Sequence, residues 1–85
     1  MNNRNVFIKK LIYRSKYTGT RETDILLGNF AENHLKYLDD ENLLAYQALL
    51  NSGDPRIWRL SIDIETSKSS KENFLIDLIK EFKGH

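Results

Sequence analysis

Residues 4–38, RNVFIKKLIYRSKYTGTRETDILLGNFAENHLKYL, read as two amphipathic helices joined by a turn that contains a glycine. Phe7, Ile8, Leu11 and Ile12 recur at spacings of three and four, which lines them along one stripe of a helix over about Arg4–Ser15, with Asn2 or Asn3 as its cap. Beyond Gly19, Glu22 and Asp24 fall in a first turn where negative charge complements the helix dipole. Leu26, Leu27, Phe30, Ala31, Leu35 and Leu38 then make a broad apolar face, interrupted by His34, so a second helix is expected over about Thr20–Tyr37.

Working outward, Asp39 or Asp40 can cap a third helix carrying Leu43, Leu44, Gln47, Ala48 and Leu50, with Asn51-Ser52-Gly53 as its stop. Asp54 is a capping acid before Pro55, whose missing N–H is harmless at a first helical position, so a short fourth helix starts there. The pattern that follows is ambiguous, because Trp58, Leu60, Ile62 and Ile64 alternate strictly with polar residues, the period of a half-buried strand. No second strand is available to pair with it, so a short helix followed by an extended tail is expected. Ser69 with Glu72 has the capping-box spacing, and Phe74, Leu75, Leu78, Ile79 and Phe82 form the stripe of a last helix, with Lys80, Lys83 and Gly84 at its end. The expected fold is all-α, a small five-helix bundle forming a single helical domain over residues 1–85.

Composition agrees. Eighty-five residues exclude a two-domain enzyme and imply a radius of gyration of about 12 Å, and 40% hydrophobic with 29% charged residues describes a folded chain. Four glycines and one proline leave few helix breakers. The absence of cysteine removes disulfides, thiolate metal sites and a cysteine nucleophile. Apolar runs such as Ile25-Leu26-Leu27 are far shorter than the ~20 residues of a membrane span, and residues 1–10 contain no signal-peptide apolar region, so a soluble intracellular protein is expected.

Net charge is only +1, yet its distribution is asymmetric. Arg4, Lys9, Lys10, Arg14, Lys16 and Arg21 give residues 1–21 a charge of +6, whereas seven acids against Lys36 give residues 22–54 a charge of −6. A basic segment of this kind docks on phosphates, an anionic membrane surface or an acidic protein groove, or pairs with the acidic middle as an ordinary solvated face.

Sites for chemistry are sparse. His34 and His85 are the only imidazoles, and His34 on an apolar helix face reads as a packed structural residue rather than a metal ligand. Isolated glycines at 19, 28, 53 and 84 exclude a P-loop, a dinucleotide fingerprint and a nucleophile elbow, so a non-enzymatic protein is expected. Tyr13, Tyr17, Tyr37, Tyr46 and Trp58 follow an exposed pattern, yet aromatics are usually core residues and Trp58 is expected to be one. The Tyr17–Asp24 turn stands out: Gly19 permits close backbone approach or positive φ, amid Lys16, Arg21, Glu22 and Asp24. Composition alone leaves it an interhelical turn with capping acids or a docking loop.

The run Leu11-Ile-Tyr-Arg-Ser-Lys-Tyr-Thr-Gly-Thr-Arg-Glu-Thr-Asp-Ile-Leu-Leu27 resembles the signature of the small succinate dehydrogenase assembly factors that promote covalent flavin attachment. That family carries R-G-x-x-E at its first interhelical turn. Gly19 and Glu22 match the glycine and glutamate, Asp24 matches a frequent acid, and the Tyr13 and Ser15 context fits; Thr18 replaces the motif arginine, with Lys16 and Arg21 as nearby cations outside the matching position. The likeness continues through Phe30, Asp39–Glu41 and Asp54–Trp58, about residues 5–62, and the last helix matches in pattern.

The resemblance implies an assembly factor that binds the flavoprotein subunit of succinate dehydrogenase, with fumarate reductase as a related target, and promotes covalent attachment of FAD to it. Thr18, Gly19, Glu22, Arg14, Lys16, Arg21 and Asp24 are then the partner-binding residues. FAD is carried by the partner and no cofactor is bound stably; the free protein is a monomer, without nucleic acid or membrane insertion, in the bacterial cytoplasm or the mitochondrial matrix. The alternative reading is a small helical nucleic-acid-binding or adaptor protein, against whose first form the acidic start Asp39-Asp40-Glu41 of the third helix argues.

Overall fold

The computed structural model describes residues 3–83, so the candidate cap Asn2, Gly84 and His85 lie outside the described residues. Five α-helices follow in order: α1 (Asn3–Ser15), α2 (Arg21–His34), α3 (Asp40–Asn51), α4 (Asp54–Ser61) and α5 (Ser70–Lys83). No strand occurs among the described residues, and the radius of gyration is 11.9 Å. α1 packs on α2 and α3, α5 packs on α2, α3 and α4, and α4 closes one end against α2, α3 and α5.

Each helix contributes residues at three- and four-residue spacing to one core: Ile8 and Leu11; Leu27, Phe30 and Ala31; Leu43, Tyr46, Leu49 and Leu50; Ile57 and Leu60; Leu75, Ile76 and Ile79. Full burial of such side chains contributes about 1.5–3 kcal/mol each, which holds together helices too short to persist alone. One buried polar contact crosses this core. Tyr46 is fully enclosed, its hydroxyl lies 2.6 Å from Ser15 Oγ, and the serine hydroxyl is also 2.7 Å from the Leu11 carbonyl. Burial pushes the Tyr46 phenol well above its ordinary pKa. Sequence pattern placed Tyr46 with the exposed tyrosines; the Ser15 partner is what lets it enter the core.

Other boundaries depart from expectation. α2 ends at His34, and Leu35–Tyr37 tighten into a 3₁₀ turn before Leu38 goes extended. His34 stacks on Phe30 at 4.9 Å and meets the edge of Phe82 at 5.3 Å, a packed histidine. Asp39 caps α3 by accepting from the Asn42 N–H at 2.8 Å. The residue before α4 is Gly53 rather than the expected Asp54; at φ 96 it both ends α3 and starts α4, a conformation costly for any other residue.

The Trp58–Ile64 alternation is coincidental. Residues to Ser61 are helical, with Ile57, Leu60 and Ser61 on the buried face, and the chain then reverses through Asp63 at φ 64 instead of running out as an extended tail. Ile64 and Glu65 N–H groups both return to the Arg59 carbonyl. Trp58 is only half-buried, Leu44 and Phe74 are exposed, and Ile76 takes a core place on α5 that Phe74 was expected to fill. At the start of α5 the Ser69 hydroxyl caps the Glu72 N–H, but the Glu72 carboxylate turns to Arg56, so only half of the capping box forms.

Candidate functional site

α1 ends where the Lys16 and Tyr17 N–H groups bond back to Ile12, Tyr13 and Arg14 carbonyls. The chain then crosses Thr18 and Gly19 to Thr20, the extended N-cap of α2. Gly19 sits at φ 150, a region that costs a side-chain-bearing residue of order 1–3 kcal/mol, so the turn requires its glycine. One carboxylate oxygen organises this bend: Asp24 Oδ1 accepts from the Thr18 N–H at 2.6 Å, the Thr18 hydroxyl at 2.6 Å and the Gly19 N–H at 3.2 Å. These bonds, the Thr18 hydroxyl foremost, hold the Asp24 pKa below the ordinary carboxylate range. A short hydroxyl and a first-turn acid thus clamp the loop to its own helix.

Thr18 stands where the motif arginine was expected, and its hydroxyl points inward to this clamp. Of the two nearby cations, Lys16 is engaged: its ammonium pairs with Glu32, which raises its pKa, and its stem crosses the buried Gly28, where a Cβ would meet Lys16 Cγ at 3.0 Å. Arg21 is exposed and, among the described residues, has no hydrogen-bond or ion-pair partner. Arg14, also exposed, reaches across to Asn51 Oδ1 at 2.6 Å.

Glu22 is exposed and likewise unpartnered among the described residues. It forms the shared rim of two shallow hollows with Trp58. One, of about 310 Å³, is lined also by Thr20 and Pro55; the other, of about 380 Å³, by Ile25, Leu26, Asn29 and Phe82. The structure therefore joins Gly19, Arg21 and Glu22 into one accessible knob beside an apolar hollow, keeps Thr18 and Asp24 as its internal fastening, and sets Lys16 and Arg14 to the flanks.

Sequence reasoning missed Ile25 and, although it noted the exposed pattern of Trp58, expected that residue in the core. A signal was present: Ile25 lies off the Thr23, Leu27, Phe30 face of α2, and Trp58 lies off the Ile57, Leu60, Ser61 face of α4. An apolar residue off the core stripe is free to line a surface.

A family model described as the flavinator of succinate dehydrogenase matches residues 9–83. Similar proteins include "succinate dehydrogenase assembly factor 2, mitochondrial" of Caenorhabditis briggsae, 42% identical over 64 residues, covering 75% of this chain and 52% of that protein. The Dictyostelium discoideum protein of the same name is 44% identical over 77 residues, 91% of this chain and 52% of its own length. The "succinate dehydrogenase assembly factor 2-A, mitochondrial" of Drosophila willistoni is 32% identical over 75 residues, 86% of this chain and 48% of its own length. The chain spans about half the length of these curated relatives. No solved structure matches. Among the described residues no helix is long and apolar enough to cross a membrane.

Proposed function

Because this chain belongs to the family of flavinators of succinate dehydrogenase, we propose that it docks on the flavoprotein subunit of that enzyme and promotes covalent attachment of FAD to it, without itself catalysing the bond. The observation that carries this reading is the turn itself: a glycine-dependent bend, braced from within by Asp24, that presents Arg21 and an unpaired Glu22 carboxylate to solvent. A preorganised turn loses little entropy on binding, and charge-assisted hydrogen bonds from Glu22 and Arg21 fix the register of the partner. Gly19 allows close approach of the two backbones. Thr18 and Asp24 act through the shape of the turn, and Arg14 and Lys16 flank the contact.

FAD remains the partner's cofactor in this reading, and the covalent bond forms with a group of the partner. The factor acts by binding the flavinylation-competent conformation of that subunit more tightly than its other conformations, which raises the competent population by the ratio of the two affinities. The test is in-gel flavin fluorescence of the dehydrogenase subunit in cells deleted for this factor, restored with the wild-type or the Glu22→Ala protein. Fluorescence returning with wild type and falling several-fold with Glu22→Ala supports the reading; equal fluorescence in deleted and restored cells overturns it. Glu22→Ala is preferable to Gly19→Arg, which strains the backbone at φ 150 as well as filling the approach.

A further inference from the structure

Six cations of this chain are neutralised by its own carboxylates. Arg4, Lys16, Arg56, Arg59, Lys71 and Lys80 each pair with a carboxylate: Asp40, Glu32, Glu65 and Glu72, Glu65, Glu41, and Asp63 respectively. Of those without a carboxylate partner among the described residues, Lys36 and Lys68 stand apart, in the turn after α2 and the loop before α5, whereas Lys9, Lys10, Arg14 and Arg21 all lie on α1 or just beyond the turn that follows it. Val6, Lys9, Lys10, Tyr13 and Tyr17 recur at three- and four-residue intervals down the solvent side of α1, opposite its buried Ile8, Leu11 and Ser15. Within this basic stripe Tyr13 and Tyr17 are 67% and 68% exposed, their rings 4.9 Å apart. The stripe is roughly 15 Å long at 1.5 Å per residue and runs directly into Thr18 and Gly19.

We propose that this α1 stripe, Lys9, Lys10, Tyr13, Arg14 and Tyr17, is a second docking surface that takes a carboxylate-rich face of the partner protein, continuous with the Gly19–Glu22 knob. The inference rests on the flavoprotein-subunit reading and adds the chemistry of the partner's surface. Charge complementarity carries it: six cations are neutralised internally, and four of the others gather on α1 and the turn after it, with the exposed Tyr13–Tyr17 pair among them. Tyrosine is enriched in protein interfaces because its ring is apolar and its hydroxyl can still bond. A protein surface is favoured over nucleic acid or an anionic bilayer because both ends of the stripe carry acids. Glu22 is unpaired beyond one end, and Asp40, tied to Arg4, stands at the other. A continuous array of phosphates would lie against those carboxylates, whereas a protein can set its own cations opposite them.

The test is stopped-flow association of the full chain with the purified flavoprotein subunit at several ionic strengths. The variants are Lys9→Glu/Lys10→Glu, its control Lys9→Arg/Lys10→Arg, and Tyr13→Ala/Tyr17→Ala, all checked for unchanged helicity. Steered association accelerates encounter by 10–10³, so the charge-reversed pair is expected to associate about 10-fold or more slowly at low salt and to lose most of the salt dependence seen in wild type and in the arginine control. The tyrosine pair should instead dissociate roughly 10-fold faster. Wild-type rates and salt slopes in the charge-reversed pair would overturn this inference alone, while a Glu22→Ala protein that still fails to flavinylate would leave the knob reading standing. Wild type failing to bind the subunit at all would overturn both. Vesicles containing phosphatidylglycerol and a 20-base-pair duplex serve as competing probes: capture by either that depends on Lys9 and Lys10, with unaltered subunit kinetics, would assign the stripe to phosphates and overturn the protein reading.

Discussion

Two bends in this molecule are built from similar parts and end differently. At the α1–α2 bend a residue of positive φ, Gly19, is braced by the carboxylate of Asp24; after α4 a residue of positive φ, Asp63, is braced by Lys80 at 2.6 Å. Around the second bend the charges are consumed. Arg56 holds Glu72 through two hydrogen bonds of 2.6 and 3.0 Å and meets Glu65 at 3.0 Å, and Arg59 holds Glu65 at 2.8 Å. Around the first, Asp24 accepts only donors of its own turn, and Arg21 and Glu22 are left without partners among the described residues. A bend whose charges satisfy one another is scaffold. A bend that keeps its shape by local hydrogen bonds while leaving charge over is open to the partner proposed above, because an exposed charge without an ion-pair partner adds little to the fold beyond its modest helix-dipole contribution.

The sharpest way to break this contrast is Arg56→Ala. Loss of hydrogen bonds to partly buried carboxylates should destabilise by about 2 kcal/mol, roughly a 10 °C fall in Tm, while flavinylation per folded molecule stays at the wild-type level. A variant that keeps its Tm but loses flavinylation would move function to the second bend.

Acid separates the bends less strongly. The Arg56 guanidinium holds Glu72 below the ordinary carboxylate pKa, and the Thr18 hydroxyl does the same for Asp24. Both therefore add stability that is present above the unfolded carboxylate pKa of about 4 and is lost as pH falls through the lower folded values. Thermal melts should be flat from about pH 5 to 7 and fall below about pH 4, and the fall should be shallower in Glu72→Gln. Tyr46 has the opposite sign: raised by burial, it adds stability that is present below pH about 10 and lost above it, a loss that Tyr46→Phe should remove.

Asp24→Ala should act locally. Amide exchange at Thr18 and Gly19 is expected to speed up by about 10-fold or more as their acceptor disappears, with the rest of α2 protected as before. Partner affinity should fall with it, because the turn must then be ordered on binding. The smallest effect on the fold is expected for Glu22→Gln, within about 0.5 kcal/mol of wild type by chemical denaturation, as befits an exposed and unpaired side chain. A larger loss would show that Glu22 has a structural partner and would collapse the contrast between the two bends.

Much of this was legible in one dimension. Helix stripes such as Leu27, Phe30 and Ala31, the Asp39 and Ser69 caps and the Gly19 turn follow from rules that act over three or four residues, and such rules are written wherever the chain is contiguous. Reading failed where a residue's fate depended on a neighbour distant in sequence. Tyr46 is core because Ser15, 31 positions away, receives its hydroxyl. Glu72 leaves its capping box because Arg56 is opposite it. The Trp58–Ile64 alternation imitates a strand, yet α5 and α2 offer a helical surface and no edge, so a helix forms.

The amino-acid order alone therefore determined that this chain is helical, where most of its helices begin, and that the bend at Gly19 resembles, apart from Thr18, a motif of succinate dehydrogenase assembly factors, since each depends on local spacing and backbone chemistry. Which charges are spent and which are left over was settled only by tertiary packing. Lys16 and Arg21 are equivalent by composition; one is taken by Glu32 on α2 and the other faces solvent, because an ion pair is a matter of distance in space.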